Sequence, residues 1–237
     1  YYEATENTTI SYTIQCDGYS DFSQTLTDSG GTYQLIGFIA GKTNHVTITE
    51  TDENQMTKTV TLDIVVPALE HEVDMQLEVT SGDSTESLRD GLYAVLGHDK
   101  NEAANIYFYD NEGILRQELI LDSYRADRII FANDCLYYAY SDHEIAKVDD
   151  LGQIEQIYTL DDYIMHHDMV YDQDQLVILA SENGADTIED LVITLDLTTG
   201  EINKIIDMKN LLPEFYLTAV KPEGGNLMEA KNLIGFI

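Results

Sequence analysis

Tryptophan is missing from this chain, proline occurs three times and cysteine twice, and 12 basic residues stand against 44 acidic ones. Each scarcity excludes something. A formal net charge of −32 repels phosphate backbones and anionic lipid surfaces, so nucleic-acid and membrane-surface partners are not expected. The simplest reading of the acidity is a solvated outer face. No run approaches the roughly 18 apolar residues that span a bilayer, so membrane insertion is not expected either. Cys16 and Cys135 form neither a disulfide framework nor a metal site, and read best as two separate small apolar side chains. The chain opens on Tyr1-Tyr2-Glu3 with no initiator Met, as expected of a processed or trimmed N-terminus.

What is present points to strands. Hydrophobic residues make up 43% of the chain, including 16 tyrosines, which rules out a disordered acidic tail and favours an all-β fold. Residues 1–80 read as a small Ig-like β-sandwich. Ile10, Tyr12 and Ile14 alternate with Ser11, Thr13 and Gln15, Val46 and Ile48 with Thr47 and Thr49, and Val60, Leu62 and Ile64 with Thr59, Thr61 and Asp63. Polar turn clusters such as Cys16-Asp17-Gly18 and Asp52-Glu53-Asn54 separate such strands. A polar stretch over 81–89 reads as a linker.

Beyond the linker the sequence repeats. Leu92, Leu136 and Leu176 lie in similar apolar strands spaced 44 and 40 residues apart. A turn of one pattern follows each: Asp110 to Gly113, Asp149 to Gly152, and Asp196 to Gly200. In each, Asp opens the turn and Gly supplies its left-handed residue. Several strands per unit at a spacing of about 40–45 residues is a propeller pattern. Residues 90–237 therefore read as an incomplete β-propeller, with three blades over about 90–122, 127–161 and 166–210. Rings close with roughly four to eight blades, so the sequence reads as the front of a longer protein.

The repeat selects the candidate site. Aligning the leucines places Ala126-Asp127-Arg128 opposite His166-His167-Asp168, each at the start of an innermost strand that lines the channel. Arg128 and Asp168 are candidate substrate-binding groups, and one of His166 and His167 is a channel-lining histidine, because neighbours on a regular strand point to opposite faces. The competing reading has these residues pinning the turn between blades. Asp172-Gln173-Asp174 resembles a calcium loop only in spacing and reads as a hairpin turn. No metal or cofactor is expected. His45, His71, His98 and His143 have no ligand-like company in the sequence and read as structural or exposed.

Two stretches resemble the bacterial arylsulfotransferases, or aryl-sulfate sulfotransferases. Leu35 to Thr49 is similar to the family's N-terminal domain. His166-His167-Asp168, followed by Leu176 to Ala180, Asp190 to Ile193 and Asp196 to Gly200, is similar to one of its propeller blades. The resemblance spans nearly all of the chain but only the front of the family's length. It implies transfer of a sulfuryl group from a phenolic sulfate ester to a phenol, with no nucleotide donor, through a histidine that is transiently sulfated. It also implies a place outside the cytoplasm, periplasmic, secreted or on the cell surface. The first channel histidine of the family corresponds to His166 or His167. The nucleophile and an Asp-Trp landmark have no counterpart among these residues, so the chain alone is expected to be inactive. Arg128 comes from the internal repeat and not from the family. A non-catalytic exported sandwich–propeller binding protein is the alternative, and homo-oligomerisation is left open.

Overall fold

The structure is a computed structural model that describes residues 2–5, 7–26, 31–69, 73–80, 91–96, 105–122, 128–149, 152–185 and 191–216. The expected linker, His71, His98, Asp127 and the chain after residue 216 lie outside the described residues. The fold is all-β, with five antiparallel sheets. The strands are β1 (Tyr2–Ala4), β2 (Thr9–Gln15), β3 (Phe22–Leu26), β4 (Gly31–Tyr33), β5 (Thr43–Thr51) and β6 (Thr57–Val65), then β7 (Tyr93–Leu96), β8 (Ile106–Tyr109) and β9 (Leu115–Leu119). There follow β10 (Ile129–Ala132), β11 (Cys135–Ala139), β12 (Glu144–Val148), β13 (Ile154–Thr159), β14 (Tyr163–Asp172), β15 (Gln175–Glu182), β16 (Leu191–Asp196) and β17 (Ile202–Asp207). Two one-turn helices close the described chain, α1 (Met208–Leu211) and α2 (Pro213–Tyr216).

The chain packs as two units, Tyr1–Val95 with Ile106–Leu119, and Leu96–Asn105 with Ile120–Ile237. In the first, β3-β2-β5-β6 form one sheet and β1 pairs with β4. The alternation read from the sequence is what buries Ile10, Tyr12, Ile14, Val46 and Ile48, each of which removes about 1.5–3 kcal/mol of apolar surface from water. The alternation weakens at β6, where Leu62 opposite Val46 is 37% exposed. As the last strand of its sheet, β6 has a covering neighbour on one side only. Asn44 is fully buried, and its amide bridges Ile39 N–H (2.8 Å) and Ile39 O (3.0 Å), closing the loop that opens β5.

The β8–β9 hairpin belongs to this first unit for two physical reasons. Ile114 is buried with Cys16 and Ile39, and Met75 and Leu77 bond to the outer edge of the hairpin through Leu115 N–H to Met75 O (3.0 Å) and Leu77 N–H to Gly113 O (2.8 Å). A Cβ on Gly113 would stand 2.5 Å from Leu77 O, so this close backbone approach requires glycine.

In the second unit, β10-β11-β12-β13 and β14-β15-β16-β17 are two four-stranded antiparallel meanders. They pack through one core to which the first gives Ala132, Tyr137, Ala139 and Ile145 and the second Met165, Met169, Leu176, Ile178 and Ile193. The opening strands β10 and β14 are neighbours. The Asp-and-Gly turns form as the sequence reading expects. Asp149 Oδ1 accepts Gln153 N–H at 2.8 Å, and Asp196 Oδ1 accepts Thr198 and Thr199 N–H at 2.9 and 2.7 Å. Those donors hold the Asp196 carboxyl below the usual range.

Candidate functional site

The site is built on a break in β14. Its pairing with β15 runs from Tyr163↔Glu182 to Met165↔Ala180, then resumes at Met169↔Ile178. His166, His167 and Asp168 therefore face the single residue Leu179. The sequence reading set these three at the start of an innermost strand; the structure starts the strand at Tyr163 and makes them a bulge inside it. A bulge re-aims side chains locally while the flanking pairs keep their register. Met165 and Met169 on either side are each 1% exposed, so the core anchors both ends.

His167 is the distorted residue of the bulge, with φ of 56°. A non-glycine residue in the left-handed region costs roughly 1–2 kcal/mol, and such residues gather at functional sites. The strand alternation that would put the two imidazoles on opposite faces is lost here. Their ring centroids lie 6.3 Å apart with an interplanar angle of 47°. Both histidines are half-buried, and Nε2 of His166 is closed off from solvent.

Asp168 and Arg128, which the repeat aligns, meet in space. Arg128 stands immediately before β10, and its Nε is 3.3 Å from Asp168 Oδ1, both side chains being about half exposed (50% and 49%). The same Oδ1 accepts Met169 N–H at 2.9 Å. An ion pair at this exposure contributes about 0–1 kcal/mol, too little to make it a main support of the fold. The arrangement sets a guanidinium, a carboxylate and two imidazoles along adjoining strands.

Neighbouring turns hold this region in place. Met165 N–H donates to Asp142 O (2.8 Å) and Leu160 N–H to His143 O (2.7 Å), while His143 Nδ1 lies 3.0 Å from Tyr163 O. His143 thus serves the start of β14, a role without a local signal because its partner is 20 residues away. Asp172-Gln173-Asp174 is a hairpin turn, with Gln173 and Asp174 both left-handed and Asp172 paired to Gln175. Asn133, in the matching turn of the preceding sheet, donates to Asp174 Oδ1 at 2.9 Å, and Tyr171 OH donates to the same oxygen at 2.7 Å. Tyr171 and then Asn133 hold the Asp174 carboxyl below its usual range. Among the described residues no group of three or more His, Cys, Asp or Glu is placed to hold a metal ion, and both cysteines are free thiols in the interior.

No curated protein matches the chain. A family model described as Arylsulfotransferase (ASST) matches residues 78–230, a span that takes in the repeated strands, the three Asp-and-Gly turns and the β14 bulge. By that match, which covers well over half of its length, the chain belongs to the arylsulfotransferase family.

Proposed function

We propose that this chain is the N-terminal portion of an aryl-sulfate sulfotransferase and supplies part of its active-site wall. Residues 1–80 act as an Ig-like sandwich domain, and the two four-stranded meanders of the second unit serve as blades of a propeller whose innermost strands include β10 and β14. The observation that carries the reading is the Arg128–Asp168 pair beside the two imidazoles of the β14 bulge, in a chain of this family. In sulfuryl transfer, charge spreads over the non-bridging oxygens in a loose transition state, as in phosphoryl transfer, and cationic donors must surround those oxygens. Arg128 is suited to that task. Of the histidines, His167 is the better placed to meet a ligand, because Nε2 of His166 is shut away from solvent.

The full reaction has two halves. In the first, an imidazole nitrogen bonds to sulfur as the sulfur–oxygen bond to the aryl group breaks and phenolate leaves. In the second, an acceptor phenol gives up its proton, balancing the one the departed phenolate takes up, and its oxygen bonds to sulfur as the nitrogen–sulfur bond breaks and frees the imidazole. That nucleophilic histidine belongs to residues outside this chain. The reaction needs no metal or nucleotide, and its partners are small phenols and their sulfate esters. By family resemblance, its place is outside the cytoplasm.

The test is an assay of the purified 237-residue chain with 4-nitrophenyl sulfate and phenol. The expected result is saturable binding of the ester, weakened in Arg128→Ala, without release of 4-nitrophenol. Sustained turnover would place the nucleophile within these residues and overturn the division of roles.

A further inference from the structure

We propose that Asp168 is the positioning residue of this site: its carboxylate holds the backbone of the β14 bulge, and with it the place of His167, and separately orients the guanidinium of Arg128 for a sulfate ester. The ester as ligand rests on the function proposed above; the positioning rests on geometry alone.

Three observations converge on Asp168. It is the last residue of the unpaired triplet, and the next residue, Met169, resumes both the β-pairing and the core. Its Oδ1 receives the Met169 N–H at 2.9 Å, which holds the carboxylate against the point where the bulge rejoins the strand. The same oxygen faces Arg128 Nε at 3.3 Å from the neighbouring strand start. One atom therefore serves the backbone of one strand and the cation of another. The residue before it, His167, carries the left-handed φ of 56°, so a change at Asp168 bears directly on that conformation.

The charge arrangement favours this role over simple neutralisation. Asp168 lies at the Nε edge of Arg128, and the Arg128 side chain remains half exposed. A planar guanidinium with one edge held by a carboxylate is pre-oriented to give its remaining N–H groups to an anion. A sulfate monoester presents three such oxygens. A site of this kind works only if its groups are held within about half an ångström of their places by supporting residues.

The experiment compares Asp168→Ala, Asp168→Asn and Arg128→Ala with the parent, all as the full chain. Two readouts are taken by NMR: the His167 backbone shifts, which report left-handed geometry without ligand, and the dissociation constant for 4-nitrophenyl sulfate. Asp168→Ala is expected to move the His167 shifts towards extended values and weaken the ester about tenfold, the scale seen when supporting partners of a site are removed. Asp168→Asn keeps an oxygen for Met169 N–H, so the left-handed shifts should return. Arg128→Ala should keep those shifts and lose the ester. Near-ultraviolet circular dichroism identifies any variant that fails to fold, in which case Asp168→Asn against Arg128→Ala decides. Unchanged His167 shifts in folded Asp168→Ala would overturn the proposal, as would Asp168→Asn behaving like Asp168→Ala. A parent that binds no ester, with shifts that respond as expected, would instead remove the functional reading and leave the positioning role standing.

Discussion

Arg116 shows how much one buried charge can organise. Its side chain is 1% exposed, with Nε 2.7 Å from Asp110 Oδ2, Nη1 donating to Gly37 O at 3.0 Å and Nη2 to Ser20 O at 2.7 Å. Its Cζ lies 5.3 Å from the centroid of the Phe22 ring. Gly37 carries φ of +96°, and a Cβ there would stand 2.3 Å from that ring. Replacing Arg116 by Met keeps the bulk but removes the buried cation beside Asp110 Oδ2 and the donors to Gly37 O and Ser20 O, which should cost about 3–5 kcal/mol in urea unfolding; a loss under 1 kcal/mol would disprove this account. A contrasting exposed pair is His45 Nδ1 with Asp63 Oδ1, 2.6 Å apart. The hydrogen bond that His45 donates to the Asp63 carboxylate raises the His45 pKa above its ordinary value. Because the folded value is the higher one, the stabilisation is fully present below about pH 6.5 and is lost as pH rises through the folded pKa. An NMR titration of His45 in Asp63→Asn should return the midpoint towards that ordinary value.

The β14 bulge is the element where local strain and proposed function coincide. Removing His166 and His167 together would set Asp168 opposite Leu179 and leave the Met165↔Ala180 and Met169↔Ile178 pairs as they are. The strain at His167, roughly 1–2 kcal/mol, would then be released. We expect the two-residue deletion to unfold at a urea midpoint no lower than the parent's while losing ester binding. A markedly lower midpoint would mean that the bulge serves the fold. The bulge was not legible in sequence, for a physical reason. Met165, His167, Met169 and Tyr171 keep an unbroken period of two, which on a regular strand would turn His167 towards the core beside the two methionines. An imidazole is costly to bury there without partners, and the strand expels the triplet instead. The Asp-and-Gly turns were legible because every interaction that makes them lies within five residues.

At the scale of the molecule, net charge is the dominant physical fact. With −32 charges on 237 residues, self-repulsion opposes the compact state and is screened by salt. The screening length falls from about 30 Å at 0.01 M salt to about 8 Å at 0.15 M. Thermal unfolding should therefore shift upward by about 2–4 °C across that range, corresponding to a gain on the order of 1 kcal/mol. A flat or falling Tm would show that the carboxylates are locally compensated. The second unit leaves apolar surface uncovered. The face of β14–β17 opposite its core carries Val170 and Leu179, 47% and 39% exposed, in register with Val177 and Val192.

The all-β class, the alternation of β2 and β5, the repeat and its three turns were already determined by the amino-acid sequence, because each depends on neighbours a few residues apart or on a pattern that recurs. The sequence also aligned Arg128 with Asp168, since equivalent positions in a repeat occupy equivalent places. Only the tertiary structure decided that these two side chains touch, that His167 turns left-handed inside a bulge, and that the β8–β9 hairpin packs in the first unit around Arg116 and Ile114. The first and last of these depend on partners far along the chain, 40 residues for Arg128 and Asp168 and 96 for Arg116 and Ser20. Hydrophobic periodicity carries no information about contacts at that range.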